Sequence, residues 1–398
     1  MLIVEKDLFS LYTPDVHKGL WPRDTRPQGD LSPNRNGFRD VMKISYLLSS
    51  YVSHLKAGTE YIKALRLLGA DLVADPGTAD VVVIHDEPPS YPLYFQRFPA
   101  LKEKYVIAYA VWETDMLPQA YLKGLRLVNE RWTCSEYTRM VLSKYFDNVY
   151  KVPHVVPAYR VSQPDVEYMK DLLNYDPEAY YFYTIADAVN PRKNLFAGLE
   201  SFLKVQSMTR RKVFFVVKQY RKAVPYISSL PHVISIAQDL SEARIHALHA
   251  LCDCYVSSHC AEAWGLSISD AMSFGNLAVA TGYSGNMEYM REDNSFPVTY
   301  ALAHIREQDL RFQPGLLDTG MRWAYVDVND LARKMMRCLG PADHSEIRKN
   351  ARQTAVRFSH RNIAELMEIR LKAIGEALQR PFRVKPRFHE ISDTLLYP

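Results

Sequence analysis

One stretch of the chain indicates the fold more strongly than any other, and it reads Glu262-Ala263-Trp264-Gly265-Leu266-Ser267-Ile268-Ser269-Asp270-Ala271-Met272-Ser273-Phe274-Gly275-Asn276-Leu277-Ala278-Val279-Ala280. Apolar residues recur there at helical spacing, which predicts a helix that begins near Ser267 and ends at Gly275. The run from Leu277 to Ala280 predicts a short buried strand. A loop and helix start of this kind face the crevice at the carboxyl end of a parallel sheet, where α/β proteins bind ligands.

Two acids, Glu262 and Asp270, stand eight positions apart in this stretch. The pattern predicts Glu262 on the loop before the helix and Asp270 in the first turn. The free backbone N–H groups of Gly265 and Leu266 would lie beside them, ready to bind an anion. Asp270 also has a structural interpretation, because Ser267 and Asp270 match a capping box with Asp in place of Glu. Glu262 lies ahead of the helix and has no such explanation.

Buried strands alternate with amphipathic helices along the rest of the chain. Apolar runs predict strands at 43–48, 71–74, 80–84, 105–109, 131–134, 180–185, 213–217, 232–236 and 254–257. Helical spacing marks segments such as Ile62-Leu65-Leu68 and a final helix over 359–378. Continuous apolar strands that alternate with helices predict parallel sheets covered on both faces.

The predicted organisation is two doubly wound α/β domains that face each other across a cleft. Residues 1–42 are interpreted as an irregular N-terminal arm, 43–160 as the first domain and 161–374 as the second. The segment 375–398 is predicted to rejoin the first domain. A polar stretch near 160–178 separates the two halves, and the expected hinge lies near 155–178.

Composition excludes several classes of protein. The 398 residues are 47% hydrophobic and 24% charged, which is ordinary for a globular protein and excludes a disordered chain. A net charge of +4 is too weakly basic for nucleic-acid binding, but it is compatible with anionic ligands and a peripheral membrane contact. The start of the chain does not predict a signal peptide. The odd count of five cysteines predicts reduced thiols and a cytoplasmic setting.

Three cations are candidates for binding an anion. Arg192 and Lys193 are predicted in the first turn of a helix, where positive charge opposes the helix dipole. A diphosphate bound between them and the helix end would remove that conflict; alternatively, both side chains are solvated. Lys218 follows the apolar run 213–217, so its ammonium is predicted to emerge at the crevice, or else at a strand end in water.

At this point the chain, after residue 42, resembles the retaining glycosyltransferases of the GT-B fold, family four. The family's E-x7-E motif is matched by Glu262 and Asp270, with Asp at the second place. Its "EAMxxGxPVxxT" is similar to 271–281, its glycine-rich donor loop to 282–288, and its basic phosphate motif to 190–194. The segment Trp112-Glu113-Thr114-Asp115-Met116-Leu117-Pro118 resembles the "WExxxxP" of mannosyltransferase-like members.

The resemblance implies two Rossmann-like domains and the transfer of a hexose, with retention, from a nucleotide-diphosphate sugar. GDP-mannose is favoured by the region around Glu113. The resemblance implies that Glu262 contacts the sugar hydroxyls and that Asp270 holds the ribose, while backbone near Ile236–Leu240 receives the base. The implied donor-binding residues are Arg192, Lys193, Lys218, Trp264, Gly265, Leu266, Asp270, Leu240, Ser284 and Gly285.

The sequence departs from the family at two places. Where many members carry a histidine after the fourth strand, this chain reads Ala110-Val111-Trp112-Glu113, so Glu113 is taken as a catalytic substitute beside Glu262. The family's arginine six residues before Lys193 is Asp187 here. His85, at another strand end, is interpreted as facing the cleft on the acceptor side, or else as a loop histidine.

Metal ions and cofactors are not expected. Metal-dependent transferases usually hold the ion with Asp-x-Asp, and no two aspartates of this chain stand two apart. Cys252, Cys254, His259 and Cys260 match no standard zinc spacing. The predicted acceptor is a saccharide, a lipid-linked glycan or a protein, reached in the cytoplasm or at the inner face of a membrane.

Two alternative functions remain from the sequence, a non-catalytic GT-B partner protein and a nucleotide-sugar epimerase. The absent histidine and Asp187 favour the non-catalytic interpretation, whereas the presence of Glu262, Arg192 and Lys193 favours an enzyme. A dinucleotide oxidoreductase is excluded, because no G-x-G-x-x-G follows a strand.

Overall fold

The first half of the chain builds a parallel sheet of six strands. The structure, a computed structural model, describes residues 41–383, so most of the predicted arm 1–42 and the final residues 384–398 lie outside the described part. The elements in chain order are β1 (Lys43–Leu48), α1 (Val52–Leu68), β2 (Asp71–Leu72), β3 (Val81–His85), α2 (Tyr91–Arg97), β4 (Tyr105–Tyr109), α3 (Gln119–Leu125), β5 (Glu130–Thr133), α4 (Glu136–Ser143) and β6 (Val149–Lys151). The strand order is β2-β1-β3-β4-β5-β6.

The second half repeats this architecture. Its elements are α5 (Gln163–Leu173), β7 (Tyr180–Asp187), α6 (Leu195–Met208), β8 (Val213–Tyr220), β9 (Val233–Ile236), α7 (Glu242–Leu251), β10 (Cys254–Ser257), α8 (Leu266–Ser273), β11 (Leu277–Thr281) and β12 (Phe296–Val298). The strand order is β12-β11-β10-β7-β8-β9, and every pairing is parallel. Counted from the other edge, this is the 3-2-1-4-5-6 order of dinucleotide-binding sheets.

A final series of elements leaves the second sheet and returns to the first half. An antiparallel hairpin is followed by three helices; the elements are β13 (Tyr300–His304), α9 (Glu307–Leu310), β14 (Arg322–Val326), α10 (Val328–Leu339), α11 (Ser345–Val356) and α12 (His360–Ala377). Helix α12 packs on α1, where His360 Nε2 lies 2.6 Å from a Glu60 carboxylate oxygen. Arg370 of α12 also pairs with Glu130 of β5 at 2.7 Å. The end of the described chain is therefore held against the first sheet.

The predicted strands and the parallel α/β class are confirmed, because both sheets consist of buried apolar runs covered by helices. The polar interpretation of 160–178 was incomplete, since α5 lies inside it. Ser162 caps that helix by accepting the N–H of Asp165, and Met169 and Leu173 are buried. No helix of the described part is both long and apolar enough to cross a membrane.

Both sheets present their switch points to one cavity. In the first sheet the order reverses between β1 and β3, and in the second between β7 and β10. Loops that follow these four strands line the same space, together with the end of β8. Parallel α/β sheets bind ligands at such points, so the topology alone locates a candidate site between the halves.

Candidate functional site

The cavity between the two halves has a volume of about 390 Å³. This lies within the usual range for small-molecule sites. Its first-half wall includes Tyr51, His54, Lys56, Glu87, Trp112 and Glu113, and its second-half wall includes Asp187, Arg192, Lys193, Arg221, Glu262, Trp264, Gly265, Leu266 and Asp270. Most of the predicted donor-site residues are thus brought together.

A largely buried chain of ion pairs crosses the cavity. Arg192 Nη1 lies 3.2 Å from Glu262 Oε2, and Arg192 Nη2 lies 3.1 Å from Glu113 Oε1. Lys193 Nζ forms a short contact with the other oxygen of Glu262. Arg192 also donates to the carbonyl of Ala261 at 2.6 Å. Because Glu113 belongs to the first half and the other groups to the second, this cluster joins the two halves.

The two glutamates of this cluster have opposite electrostatic environments. Burial acts to raise the pKa of Glu262, but the Lys193 and Arg192 cations outweigh it and lower that pKa to about 2. Burial raises the pKa of Glu113, because Arg192 only partly offsets it. Glu262 is therefore a firmly held carboxylate, whereas Glu113 takes up a proton more readily.

Arg192 and Lys193 do not lie in the first turn of a helix, so that prediction was wrong. They form a short 3-10 turn over Pro191–Lys193, in which the Asn190 side chain accepts the N–H of Arg192 at 3.0 Å. Asn194 then adopts a left-handed conformation with φ of 48°, and α6 begins only at Leu195. Their charges are balanced by the two glutamates rather than opposed by a helix dipole.

The backbone of Glu262 is supported from behind by the glycine-rich loop. Its N–H donates to Ser284 Oγ at 2.8 Å, and its carbonyl accepts the N–H of Gly285 at 2.7 Å. A Cβ on Gly285 would collide with the carbonyl of Ala263. Ser284 and Gly285 thus lie behind the cavity wall and position the loop that carries Glu262.

Asp270 lies in the second turn of α8 and connects the two halves. Lys56 of α1 donates to its Oδ2 and Tyr159 to its Oδ1, both at 2.7 Å. The capping-box interpretation was wrong, because α8 begins at Leu266 after Gly265, which has a φ of 87° and no side-chain cap. Burial tends to raise the pKa of Asp270, but Lys56 leads the groups that lower it.

The start of α8 opens on the cavity as predicted. Gly265 and Leu266 both line it, so the first N–H groups of the helix are available near the acidic cluster. Trp264 is buried beside them and donates from Nε1 to Ser269 Oγ at 3.0 Å. This indole fixes the turn between Glu262 and the helix.

Five predicted residues are not part of the cavity wall, because Ser284 and Gly285 lie behind it and Lys218, His85 and Leu240 lie elsewhere. Lys218 is fully buried inside β8, which continues to Tyr220, and its ammonium donates to the Gln219 carbonyl at 2.6 Å instead of emerging at the crevice. His85 does not face the cleft, because it is buried and contacts the Tyr46 hydroxyl at 2.9 Å through Nδ1. Leu240 packs against the core and does not line the cavity.

Several lining residues escaped the sequence analysis. Tyr51 and His54 follow β1 at a switch point, a position from which the topology could have identified them. Lys56 and Arg221 carried no local signal, since tertiary packing alone brings them to the cavity wall. Within residues 41–383, no group of three or more His, Cys, Asp or Glu side chains is arranged to hold a metal ion.

Comparison with known proteins supports the fold. A glycosyltransferase from Rickettsia africae ESF-5 superposes with a TM-score of 0.62 at 14% identity, over 85% of this chain and 99% of that chain. Anabaena Alr3699/HepE, solved with UDP and glucose, superposes with a TM-score of 0.58 at 14% identity, over 83% of this chain and 100% of that chain. The pneumococcal O-GlcNAc transferase GtfA, solved with UDP and GlcNAc, superposes with a TM-score of 0.52 at 10% identity, over 82% of this chain and 61% of that chain.

No protein-family model and no curated protein sequence matches the chain. The structural likeness nevertheless defines the architecture, because two parallel six-stranded sheets enclose one cleft in the same arrangement. The protein has the α/β GT-B fold, with two Rossmann-like, doubly wound sheets.

Proposed function

We propose that this protein is a retaining glycosyltransferase that moves a hexose from a nucleotide-diphosphate sugar to an acceptor. The observation that carries the proposal is the largely buried Glu113–Arg192–Glu262–Lys193 cluster, which lies at the switch points of both sheets beside the open start of α8. Its support is the GT-B fold, which it shares with glycosyltransferases of known structure.

The cations and backbone amides of the site would bind the diphosphate of the donor, and Glu262 would bind its sugar. When the glycosidic bond breaks, negative charge develops on the leaving diphosphate, and cations with backbone amides can stabilise it without covalent chemistry. Arg192, Lys193 and the N–H groups of Gly265 and Leu266 would supply this stabilisation. Arg192 and Lys193 are paired with glutamates now, so a bound diphosphate would replace part of those contacts. Glu262, once released from one of them, would bind the sugar hydroxyls.

The donor and the acceptor are proposed from one sequence segment and from the fold. The segment around Glu113 favours GDP-mannose, whereas HepE and GtfA were solved with UDP, so the base has to be decided by a nucleotide panel. Asp270 is proposed to hold the ribose, in exchange for Lys56 or Tyr159. The acceptor is proposed to be a saccharide, a lipid-linked glycan or a protein that enters from the first half.

The proposal is tested by Lys193→Ala. Charge-assisted hydrogen bonds contribute about 1.5–3 kcal/mol each, so nucleoside-diphosphate affinity should fall about ten- to hundredfold. Lys204→Ala is the matched control, because Lys204 pairs with Glu200 on an exposed face of α6 away from the cavity. If no nucleotide raises the melting temperature of the parent in a thermal-shift screen, the result would favour the non-catalytic interpretation.

Metal independence is part of the proposal. Arg192, Lys193 and the start of α8 offer the positive potential that a divalent ion supplies in other transferases. Sugar transfer should therefore persist in excess EDTA. Complete loss of transfer, restored by magnesium or manganese, would contradict this expectation.

A further inference from the structure

The cavity has too few available cations for a diphosphate ligand. Its lining carboxylates outnumber its lining cations by five to four; they are Glu87, Glu113, Asp187, Glu262 and Asp270 against Lys56, Arg192, Lys193 and Arg221. Three of the four cations pair with buried carboxylates at close range. A dianionic ligand would have to break those pairs, which are costly to leave half-satisfied in a buried site.

Arg221 is the exception among these cations. Its side chain is 50% exposed, and its contact with Asp187 Oδ2 is a loose 3.4 Å. A guanidinium has five N–H donors. Of these, Nη2 is engaged by the Tyr51 hydroxyl at 2.6 Å. Donors therefore remain for a ligand, and no buried pair has to be broken to use them.

The position of Arg221 is fixed by the pairing of β7 with β8, by its backbone conformation and by its contact with Tyr51. Tyr220 pairs with Asp187 across β8 and β7, so Arg221 emerges at the sheet edge from which the loop bearing Arg192 and Lys193 also departs. Its φ of 59° is uncommon for a residue other than glycine. Its guanidinium also stacks over the ring of Tyr51, 5.1 Å from the centroid, although Tyr51 belongs to the opposite half.

Asp187 gives a second, independent indication of a ligand site. Its Oδ2 faces Arg221, whereas its Oδ1 is buried and has no hydrogen-bond partner within the described residues. An unpartnered carboxylate oxygen is costly unless a donor group reaches it. A ligand that carries both phosphate and hydroxyl groups would satisfy Arg221 and Asp187 together.

We propose that Arg221 is a third diphosphate-binding cation of the donor site, in addition to Arg192 and Lys193, held in place by Asp187 and Tyr51. The ligand class is a nucleoside diphosphate or its sugar ester, so this inference rests on the proposed function. Arg221 binds the phosphate oxygens from the β8 side while Arg192 and Lys193 remain partly paired. Because Tyr51 belongs to the first half, the same guanidinium couples phosphate binding to contact between the halves.

The test compares nucleoside diphosphate, nucleoside monophosphate and nucleoside binding to the full chain by calorimetry. Arg221→Ala should weaken diphosphate binding about ten- to hundredfold and nucleoside binding by less than about threefold. Arg221→Lys keeps the charge without the fork of donors and should recover part of the loss. Added salt should weaken diphosphate binding less in Arg221→Ala than in the parent.

Arg322→Ala is the matched control. Arg322 is also 50% exposed and pairs with one aspartate of the other half, Asp115 at 2.7 Å, but it does not line the cavity. Its diphosphate affinity should stay within about twofold of the parent. Melting of each variant without ligand verifies that the comparison is between folded chains.

The outcomes separate this inference from the proposed function. Equal diphosphate affinity in the parent and Arg221→Ala would overturn the inference and leave the proposed function standing. An equal loss for nucleoside and diphosphate would also overturn it, because the contact would then be to the base or ribose. A parent that binds no nucleoside diphosphate would overturn both.

Discussion

Glu262 and Asp270 are both buried acids of the cavity, yet their partners differ. Glu262 contacts two cations of its own half, whereas Asp270 contacts Lys56 of the other half and the hydroxyl of Tyr159. The first acid therefore stands at the predicted bond-breaking centre. The second stands at a junction between the halves, next to the proposed ribose.

Substitution should separate the two acids. Glu262→Gln removes charge beside the transferring sugar and should lower turnover more than nucleotide affinity, whereas Asp270→Asn should mainly weaken the nucleotide. Steady-state kinetics combined with equilibrium nucleotide binding would measure both effects. An Asp270→Asn variant that loses melting temperature alone, with donor affinity intact, would assign this acid to holding the halves together.

The lowered pKa of Glu262 also predicts a pH dependence of stability. Burial opposes the shift, but Lys193 and Arg192 lower the pKa from 4.5 to about 2. The resulting stabilisation is fully present above about pH 4.5 and is lost as pH falls toward 2, with a magnitude of about 3 kcal/mol. The parent should exceed Glu262→Gln in unfolding free energy by a constant amount from pH 7 to about 5, as measured by denaturant titration. A difference that disappears by pH 6 would contradict this assignment.

The sequence located at the cavity those residues that lie on loops after parallel strands, because such loops meet at one edge of the sheet. Glu262, Arg192 and Lys193 are of this kind, although the helix turn predicted for the two cations was wrong. Lys218 and His85 were misplaced because strand ends cannot be located from apolar runs alone. β8 continues to Tyr220, so Lys218 stays inside the sheet. Gly58 of α1 packs on His85, and an ideal Cβ there would lie 3.0 Å from its Nδ1.

At the scale of elements, the 3-10 turn Ser284–Glu288, which follows β11, sets the position of Glu262. Gly285→Ala would drive a Cβ into the carbonyl of Ala263, so the Glu262 loop must shift. We expect a lower melting temperature and reduced turnover, because about 1 Å of misplacement can cost a hundredfold in rate. Gly282→Ala is the control, since its Cβ would lie 3.1 Å from the nearest atom, the Val298 carbonyl oxygen. Equal effects in both variants would show that the loop is not a specific support.

The repeated strand and helix pattern made the sheets predictable, but some elements were beyond it. Helix α5 was missed because only Met169 and Leu173 are buried in it, too few for a clear apolar period. The hairpin of β13 and β14 interrupts the alternation, and its first strand is exposed on both faces. Its partner strand donates from Ala324 N–H to the Cys260 carbonyl at 2.9 Å. Such a contact depends on tertiary packing that no local pattern records.

At the scale of the whole molecule, the two halves touch through charged contacts around the cavity. Lys56 pairs with Asp270 at 2.7 Å, Lys151 with Glu288 at 2.6 Å and Arg322 with Asp115 at 2.7 Å. The main apolar core also contains residues of both halves. A donor and an acceptor that bind to opposite halves have to be brought together for transfer, so we expect the halves to move about a hinge during the reaction.

The hinge predicted near 155–178 includes helix α5, so we now expect the bend in the connection 152–162 between β6 and α5, beside the return of the chain at Phe358. Val156 N–H donates to the Phe358 carbonyl at 2.8 Å. The two segments that connect the halves therefore lie side by side and can bend together. We expect the ligand-free chain to sample open states in solution and to become more compact with donor and acceptor analogue, as measured by X-ray scattering. Lys56→Ala removes one contact between the halves, so its ligand-free radius of gyration should exceed that of the parent. Lys204→Ala, on an exposed helix face, should scatter as the parent does. A radius of gyration that stays constant through saturation with both ligands, in the parent and in Lys56→Ala, would rule out closure of the cleft as part of the reaction.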